Sequence, residues 1–258
     1  MVAPPRWPAA FRWLGAAGFQ LRFGPTHILV DPFLSHSQDG GLAGVDDLLA
    51  EAIFLTHGHF DHVRDAPAIA AHTRAPVYAS ATVCAALHDR GLAARQLHPL
   101  AAGRTVEVGA VEVRAFAARH VRFDLPLVWR TLGRAGARLF GVLRAVSMYP
   151  QGEVLGYRFV GAAPSVVHLG SAGFYPSELA QMRSDVALLP LQGRSDIERV
   201  VLRMVRLLQP RRVVLHHFDD FYPPISAQID VRPFIELLAR QQPDVRVIAP
   251  RVGEWTRI

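Results

Sequence analysis

Three imidazoles and a carboxylate fall within six positions in the stretch Thr56-His57-Gly58-His59-Phe60-Asp61-His62, where the apolar run Ala52–Thr56 ends. Imidazole nitrogen and carboxylate oxygen together suit zinc or a similar borderline divalent ion, at about 2.0–2.2 Å per bond. In extended backbone His57 and His59 are two apart, so they project to one side and can share an ion. Asp61 and His62 are adjacent and point apart, which suits a different ion close by. The chemistry such a site offers is water activation: a zinc-bound water has its pKa lowered from about 15.7 to near 7 and attacks a carbonyl or phosphoryl centre as hydroxide. Rival chemistries have no motif here, since the chain carries no Gly-x-Ser-x-Gly elbow, phosphate-binding P-loop or dinucleotide fingerprint.

Positioning such a cluster takes a rigid frame. Short β-like runs open the chain at Phe11–Leu14, Phe19–Phe23 and His27–Val30, with Gly24-Pro25 as a turn. A short helix or turn follows over Val45–Ala50, then a strand over Ala52–Thr56. Ala66–His72 reads as helix, Pro76–Ala79 as strand, Ala81–Arg90 as helix, and Thr105–Val108 with Val111–Ala117 as a hairpin around Gly109. The second half repeats the style. Strands are expected at Val154–Val160, Val166–Leu169, Asp185–Pro190, Arg212–Leu215 and Val245–Ile248. Helices are expected at Tyr175–Gln181, Ile197–Leu208 and Pro233–Arg240, the middle one with Ser195 and Asp196 as capping candidates. Strands alternate with helices throughout and no linker interrupts them, so one α/β domain over residues 1–258 with two sheets is the expected organisation.

Composition narrows the class. The 258 residues are 50% hydrophobic and 19% charged, with a mean hydropathy of +0.17, which excludes disorder. All 28 basic residues are arginine; the net charge is +6 and the pI about 10.3. Cys84 is the single cysteine, so no intramolecular disulfide and no cysteine-rich zinc module is possible, and its apolar surroundings point to a buried thiol. Arg6 and Arg12 break any signal-like apolar region, and no run of 18 apolar residues exists. A soluble protein of the reducing cytoplasm is the default expectation.

The uninterrupted HxHxDH pattern at 57–62 resembles that of the metallo-β-lactamase superfamily. The likeness extends to Trp13-Leu14-Gly15 with Gly18-Phe19 and to Ile28–Phe33, the superfamily's first strands. It is nearest the branch of the ascorbate-phosphate lactonases and the N-acyl-phosphatidylethanolamine phospholipase; Ala16 stands where that branch often has a histidine. The resemblance implies a four-layer αββα sandwich of two mixed β-sheets flanked by helices. It implies a first metal site of His57, His59 and His120, and a second of Asp61, His62 and His217, with His216 as the alternative last ligand. Asp61 is expected to orient the attacking hydroxide and take its proton, and Asp31 to support a ligand histidine. One departure stands out. Where the superfamily supplies a bridging aspartate, this chain has Ser171, a poor zinc ligand, so the second ion is expected to be weak or absent. Asp219 or Asp220 is the candidate substitute. Zinc is expected as one or two ions, with manganese or iron(II) as alternatives. His27, His36, His72, His88, His98 and His168 have no spacing that singles them out, and His168, facing away from Ser171 on its strand, is expected to be structural.

Between His120 and Val154 lies a segment at 123–150 in which Val128, Leu132, Ala135, Leu139, Val142 and Val146 recur at helix period, with Arg130, Arg134 and Arg138 striping another face. A surface helix, a substrate lid and a peripheral membrane contact through 127–146 are its three readings. The leading functional class is a metal-dependent hydrolase of an ester, lactone or phosphodiester, acting on a small molecule, phosphorylated ones included. A non-catalytic scaffold is the alternative, and a nucleic-acid phosphodiesterase ranks below both because the arginines are dispersed. Oligomeric state is not encoded in any pattern we recognise.

Overall fold

The computed structural model describes residues 9–35, 44–127, 129, 149–162, 164–223 and 226–258. Among these, seven strands form one sheet and eight the other. The first sheet has the order β15-β1-β2-β3-β4-β5-β6, from β1 (Ala10–Gly15), β2 (Gly18–Phe23), β3 (Thr26–Val30), β4 (Ala52–Phe54), β5 (Val77–Ala79), β6 (Leu97–Pro99) and β15 (Trp255–Arg257). The second runs β11-β8-β9-β10-β12-β13-β14, with β7 (Thr105–Val108) pairing β8 (Val111–Arg119) off that path. Its other members are β9 (Leu155–Val160), β10 (Val166–Leu169), β11 (Gly173–Phe174), β12 (Val186–Pro190), β13 (Arg212–His216) and β14 (Arg246–Ile248). Both sheets are mixed: antiparallel over β15-β1-β2-β3 and β11-β8-β9-β10, with β7 antiparallel to β8, and parallel from β3 to β6 and from β10 to β14. The αββα sandwich expected from the resemblance is the fold.

Period-two alternation sorts side chains between layers. Ile28 and Val30 of β3 and Ala52 and Phe54 of β4 face the core between the sheets. Leu29 and Ile53 face the other way, onto α2 (Ala66–Thr73) and α3 (Ala81–Asp89), where Ile69, Ala70, Val83 and Leu87 meet them. Strand β12 is buried along its whole length because it lies between the first sheet and α5 (Ile197–Leu208), so its apolar run is continuous. Two short helices, α1 (Phe60–Val63) and α4 (Pro176–Leu179), and the longer α6 (Arg232–Gln241) also lie among the described residues.

Several expectations are corrected. α1 was not foreseen: the second half of the His-rich motif is helical, not extended. β6, β11 and β15 were missed as well; all are two or three residues long, and β6 and β15 carry histidine, proline or arginine at a sheet edge, where little apolar patterning is needed. Asp196 occupies the N-cap of α5 without a capping bond, because its carboxylate takes the Arg194 guanidinium (2.6 Å), while Ser195 bonds Asp124 instead. Cys84 is buried as expected. The stripes at Val128 and at 130–148 lie outside the described residues. No helix among the described residues is long and apolar enough to cross a membrane.

Candidate metal centre

The parallel strands of both sheets end on one rim, and their C-terminal loops carry the chemistry. Asp31 follows β3, Thr56 and His57 follow β4, Ser171 follows β10 and His217 follows β13; His120 follows the antiparallel β8. The structure brings His57, His59 and His120 into one group and Asp61, His62 and His217 into another, each with candidate ligand atoms all within 4.8 Å of one another.

In the first group the ring centroids of His57 and His59 are 4.7 Å apart, and those of His59 and His120 are 4.5 Å apart. His57 Nε2 and His59 Nδ1 face each other at 3.2 Å. Two ligands about 2.05 Å from a tetrahedral zinc stand about 3.3 Å apart, so this spacing fits a shared ion. For His57 and His120 the other ring nitrogen is engaged. His57 Nδ1 lies 3.0 Å from the Thr56 hydroxyl, which itself donates to Asp31 Oδ2 (2.6 Å). His120 Nδ1 donates to its neighbour's carbonyl, Val121 O (2.8 Å). Both rings are thereby left with a bare Nε2. Glycine is required where loops crowd: a Cβ on Gly58 would run into the Pro150 carbonyl, and one on Gly170 into Thr56 Oγ1 and Asp31 Oδ2.

The second group is buried throughout. Asp61 and His62 occupy the first turn of α1, so a helical twist replaces the expected divergence and their Oδ2 and Nε2 converge to 3.4 Å. His217 Nε2 lies 3.5 Å from the same Asp61 oxygen. His62 Nδ1 donates to Asp31 Oδ2 (2.8 Å), which fixes the tautomer and aims Nε2 at Asp61. His217 adopts φ of +56°, and its backbone N–H donates to Ala16 O (3.0 Å). That left-handed turn breaks the strand after His216 and swings the His217 ring into the group. His216 stays in β13 and packs on Phe19 and His168 (5.5 and 5.1 Å between centroids), outside both groups.

Electrostatics suit ligation. Burial lowers His57 and His217 well below the ordinary range, with the neighbouring imidazoles adding to the effect; His59 falls to about 3 for the same reasons. Neutral imidazoles have a lone pair to offer. Burial also raises Asp61 against the pull of His62. Asp31 stays depressed although burial opposes it, because His62 and hydrogen bonds from His168 and His62 favour the anion. The expected substitutes for a bridging acid are engaged elsewhere: Asp219 Oδ2 accepts from Ala16 N (2.9 Å) and Asp220 Oδ1 from Ser226 Oγ (2.5 Å). Ser171 accepts from Val121 N (2.9 Å), holding the loop of His120.

Two contributors escaped the sequence reading. Thr56 links Asp31 to His57, and His168, expected to be merely structural, reaches Asp31 (3.3 Å). A signal for His168 existed: a lone histidine in the apolar strand Val166-Val167-His168-Leu169 is buried and must find a partner. Aromatic rings wall the rim, with Phe221 against His217 (4.8 Å), Phe123 against His120 (5.7 Å) and Phe60 against Tyr222 (4.6 Å).

Imidazole and carboxylate groups gathered on one rim of an αββα sandwich are what metal-dependent hydrolases carry, and this chain is of that class. It belongs to the beta-lactamase superfamily: the model of the beta-lactamase superfamily domain matches residues 26–218. A UPF0173 metal-dependent hydrolase of Methylocella silvestris is 38% identical over 248 residues, covering 93% of this chain and 96% of its own length. Another, from Pyrobaculum islandicum, is 30% identical over 96% of this chain and 99% of its own. Among solved structures, Igni18, a metallo hydrolase of Ignicoccus hospitalis, superposes with a TM-score of 0.74 at 20% identity, over 98% of this chain and 99% of that one.

Proposed function

We propose that the chain hydrolyses an ester, lactone or phosphodiester of a small molecule, using a divalent ion held by His57, His59 and His120, with zinc as the first choice and manganese or iron(II) as alternatives. The observation that carries this reading is the convergence of three neutral imidazoles, two of them with second nitrogens tied to Thr56 and Val121. An ion bound there supplies Lewis acidity, lowering the pKa of water toward 7 and polarising the oxygen that gains charge. Three protein ligands leave a fourth position open, the pattern of catalytic rather than structural sites. Asp61, buried beside that group, orients the attacking water and receives its proton. Asp61, His62 and His217 would hold a second, weaker ion, because Ser171 offers no bridging carboxylate. The rings of Phe60, Phe123, Phe221 and Tyr222 contact the organic part of the substrate.

Protein purified without chelator, assayed for metal and then on a panel of lactones, aryl esters and phosphodiesters, tests this. At least one ion per chain and turnover lost in His59→Ala are expected. A chain without metal, or turnover untouched by His59→Ala, overturns the reading in favour of a scaffold.

A further inference from the structure

Asp31 receives hydrogen bonds from three segments. Thr56 gives it a backbone N–H (2.7 Å, to Oδ1) and a hydroxyl (2.6 Å, to Oδ2), His62 gives Nδ1 (2.8 Å), and His168 gives Nε2 (3.3 Å). Two of these donors stand in or beside the His-rich motif. His168 is different: it sits on β10 of the second sheet and reaches across the sandwich to a carboxylate that follows β3 of the first. Asp31 itself has φ of +45°, a left-handed conformation that an L side chain holds only when its surroundings enforce it.

The His168 ring is fully buried and boxed by Phe19 (5.8 Å) and His216 (5.1 Å, nearly parallel). Of its two nitrogens, Nδ1 has no partner among the described residues, while Nε2 faces Asp31. A neutral imidazole carries one proton, and the acceptor decides where it sits: on Nε2. His168 therefore enters this network as a donor. With that donor in place, Asp31 accepts from His62 Nδ1, and His62 turns Nε2 toward Asp61 and His217. Through Thr56 the same carboxylate governs His57 Nδ1 as well.

We propose that His168 is a positioning residue for both metal groups: its Nε2–H clamps Asp31 across the two sheets and so sets the tautomer and aim of His62 directly and of His57 through Thr56. The inference rests on the metal reading above and adds to it a residue that touches no ion. Outer partners of this kind typically contribute about 10–100-fold to metal affinity.

Gln and Asn substitutions separate positioning from packing. The amide nitrogen of Gln falls near the place of Nε2, whereas that of Asn falls near Nδ1 and cannot reach Asp31. Metal-stripped wild type, His168→Gln, His168→Asn and His168→Leu are titrated with Zn²⁺ against a chromophoric chelator, and each metal-free protein is melted. We expect His168→Gln to bind within about threefold of wild type, and His168→Asn and His168→Leu to bind about 10–100-fold more weakly. Should His168→Leu fail to fold, the Gln and Asn pair decides. If Gln and Asn bind equally, or if affinity follows only the metal-free melting temperature, the inference falls. A wild type that takes up none of zinc, manganese and iron(II) in the same titration removes the metal reading and this inference with it; variants that all bind like a metal-binding wild type remove this inference alone.

Discussion

His57, His59 and His120 form an all-imidazole group with two members half-buried, whereas Asp61, His62 and His217 are all buried and include a carboxylate. The open group carries no formal charge from its side chains, and two of its rings, those of His57 and His120, are held by near neighbours, Thr56 and Val121. The buried group carries one negative charge, and its parts come from a helical turn, a broken strand and the Asp31 network beneath. The contrast separates two tasks. Exposure leaves room for water and substrate at the first group, and burial strengthens charge–charge interactions at the second.

Removing a ligand from each group puts that division of labour to the test, and the largest effect is expected here. His57→Ala should lower turnover at least about 1,000-fold, roughly 4 kcal/mol of barrier, while His217→Ala lowers it about 10–100-fold. Steady-state rates on one substrate decide the order; equal losses would mean that the two groups act as one unit. Restoring the missing acid sharpens the comparison. Ser171→Asp should tighten retention of the second ion about tenfold, or about 1.4 kcal/mol, as read by chelator competition. No change would place position 171 outside reach of both ions.

A smaller effect separates the groups by pH. His59 is depressed from 6.5 to about 3 by burial and by its imidazole neighbours, and burial lowers His57, His120 and His217 too. The unfolded chain therefore binds protons near pH 6.5 that the fold refuses, and the metal-free protein loses stability as pH falls from 6.5 toward 3. Within the buried group His62 works the other way, because Asp31 and Asp61 raise it although burial opposes them. Melting at pH 7.5, 6.5 and 5.5 should show a drop of several degrees per unit, at least as steep when zinc is bound, because the ion keeps these imidazoles unprotonated in the fold. A flat profile would mean that these imidazoles are protonated in the fold.

Much of this was legible before any coordinates. Compact apolar runs at His27–Val30 and Ala52–Thr56 located strands that β3 and β4 match, and the dense motif at 57–62 announced a metal. The helical turn at Phe60–Val63 was not legible, because four residues give no period to read and the extended spacing of His57 and His59 invites extrapolation. β15 was hidden for a related reason: Trp255-Thr256-Arg257 becomes a strand only because β1 presents an unpaired edge. His168 looked inert in sequence because its partner lies 137 positions away.

Residue types and short spacings marked His57, His59, Asp61 and His62 as candidate ligands of a divalent ion, since ligand chemistry belongs to side chains and neighbours two apart share a side. His120 and His217 were marked by the resemblance alone. Which imidazole nitrogen stays bare, and why His217 turns inward while the adjacent His216 packs against His168, was decided in three dimensions. Tautomer and aim depend on acceptors such as Asp31 and Ala16 O, and these reach the histidines only when two sheets close on each other.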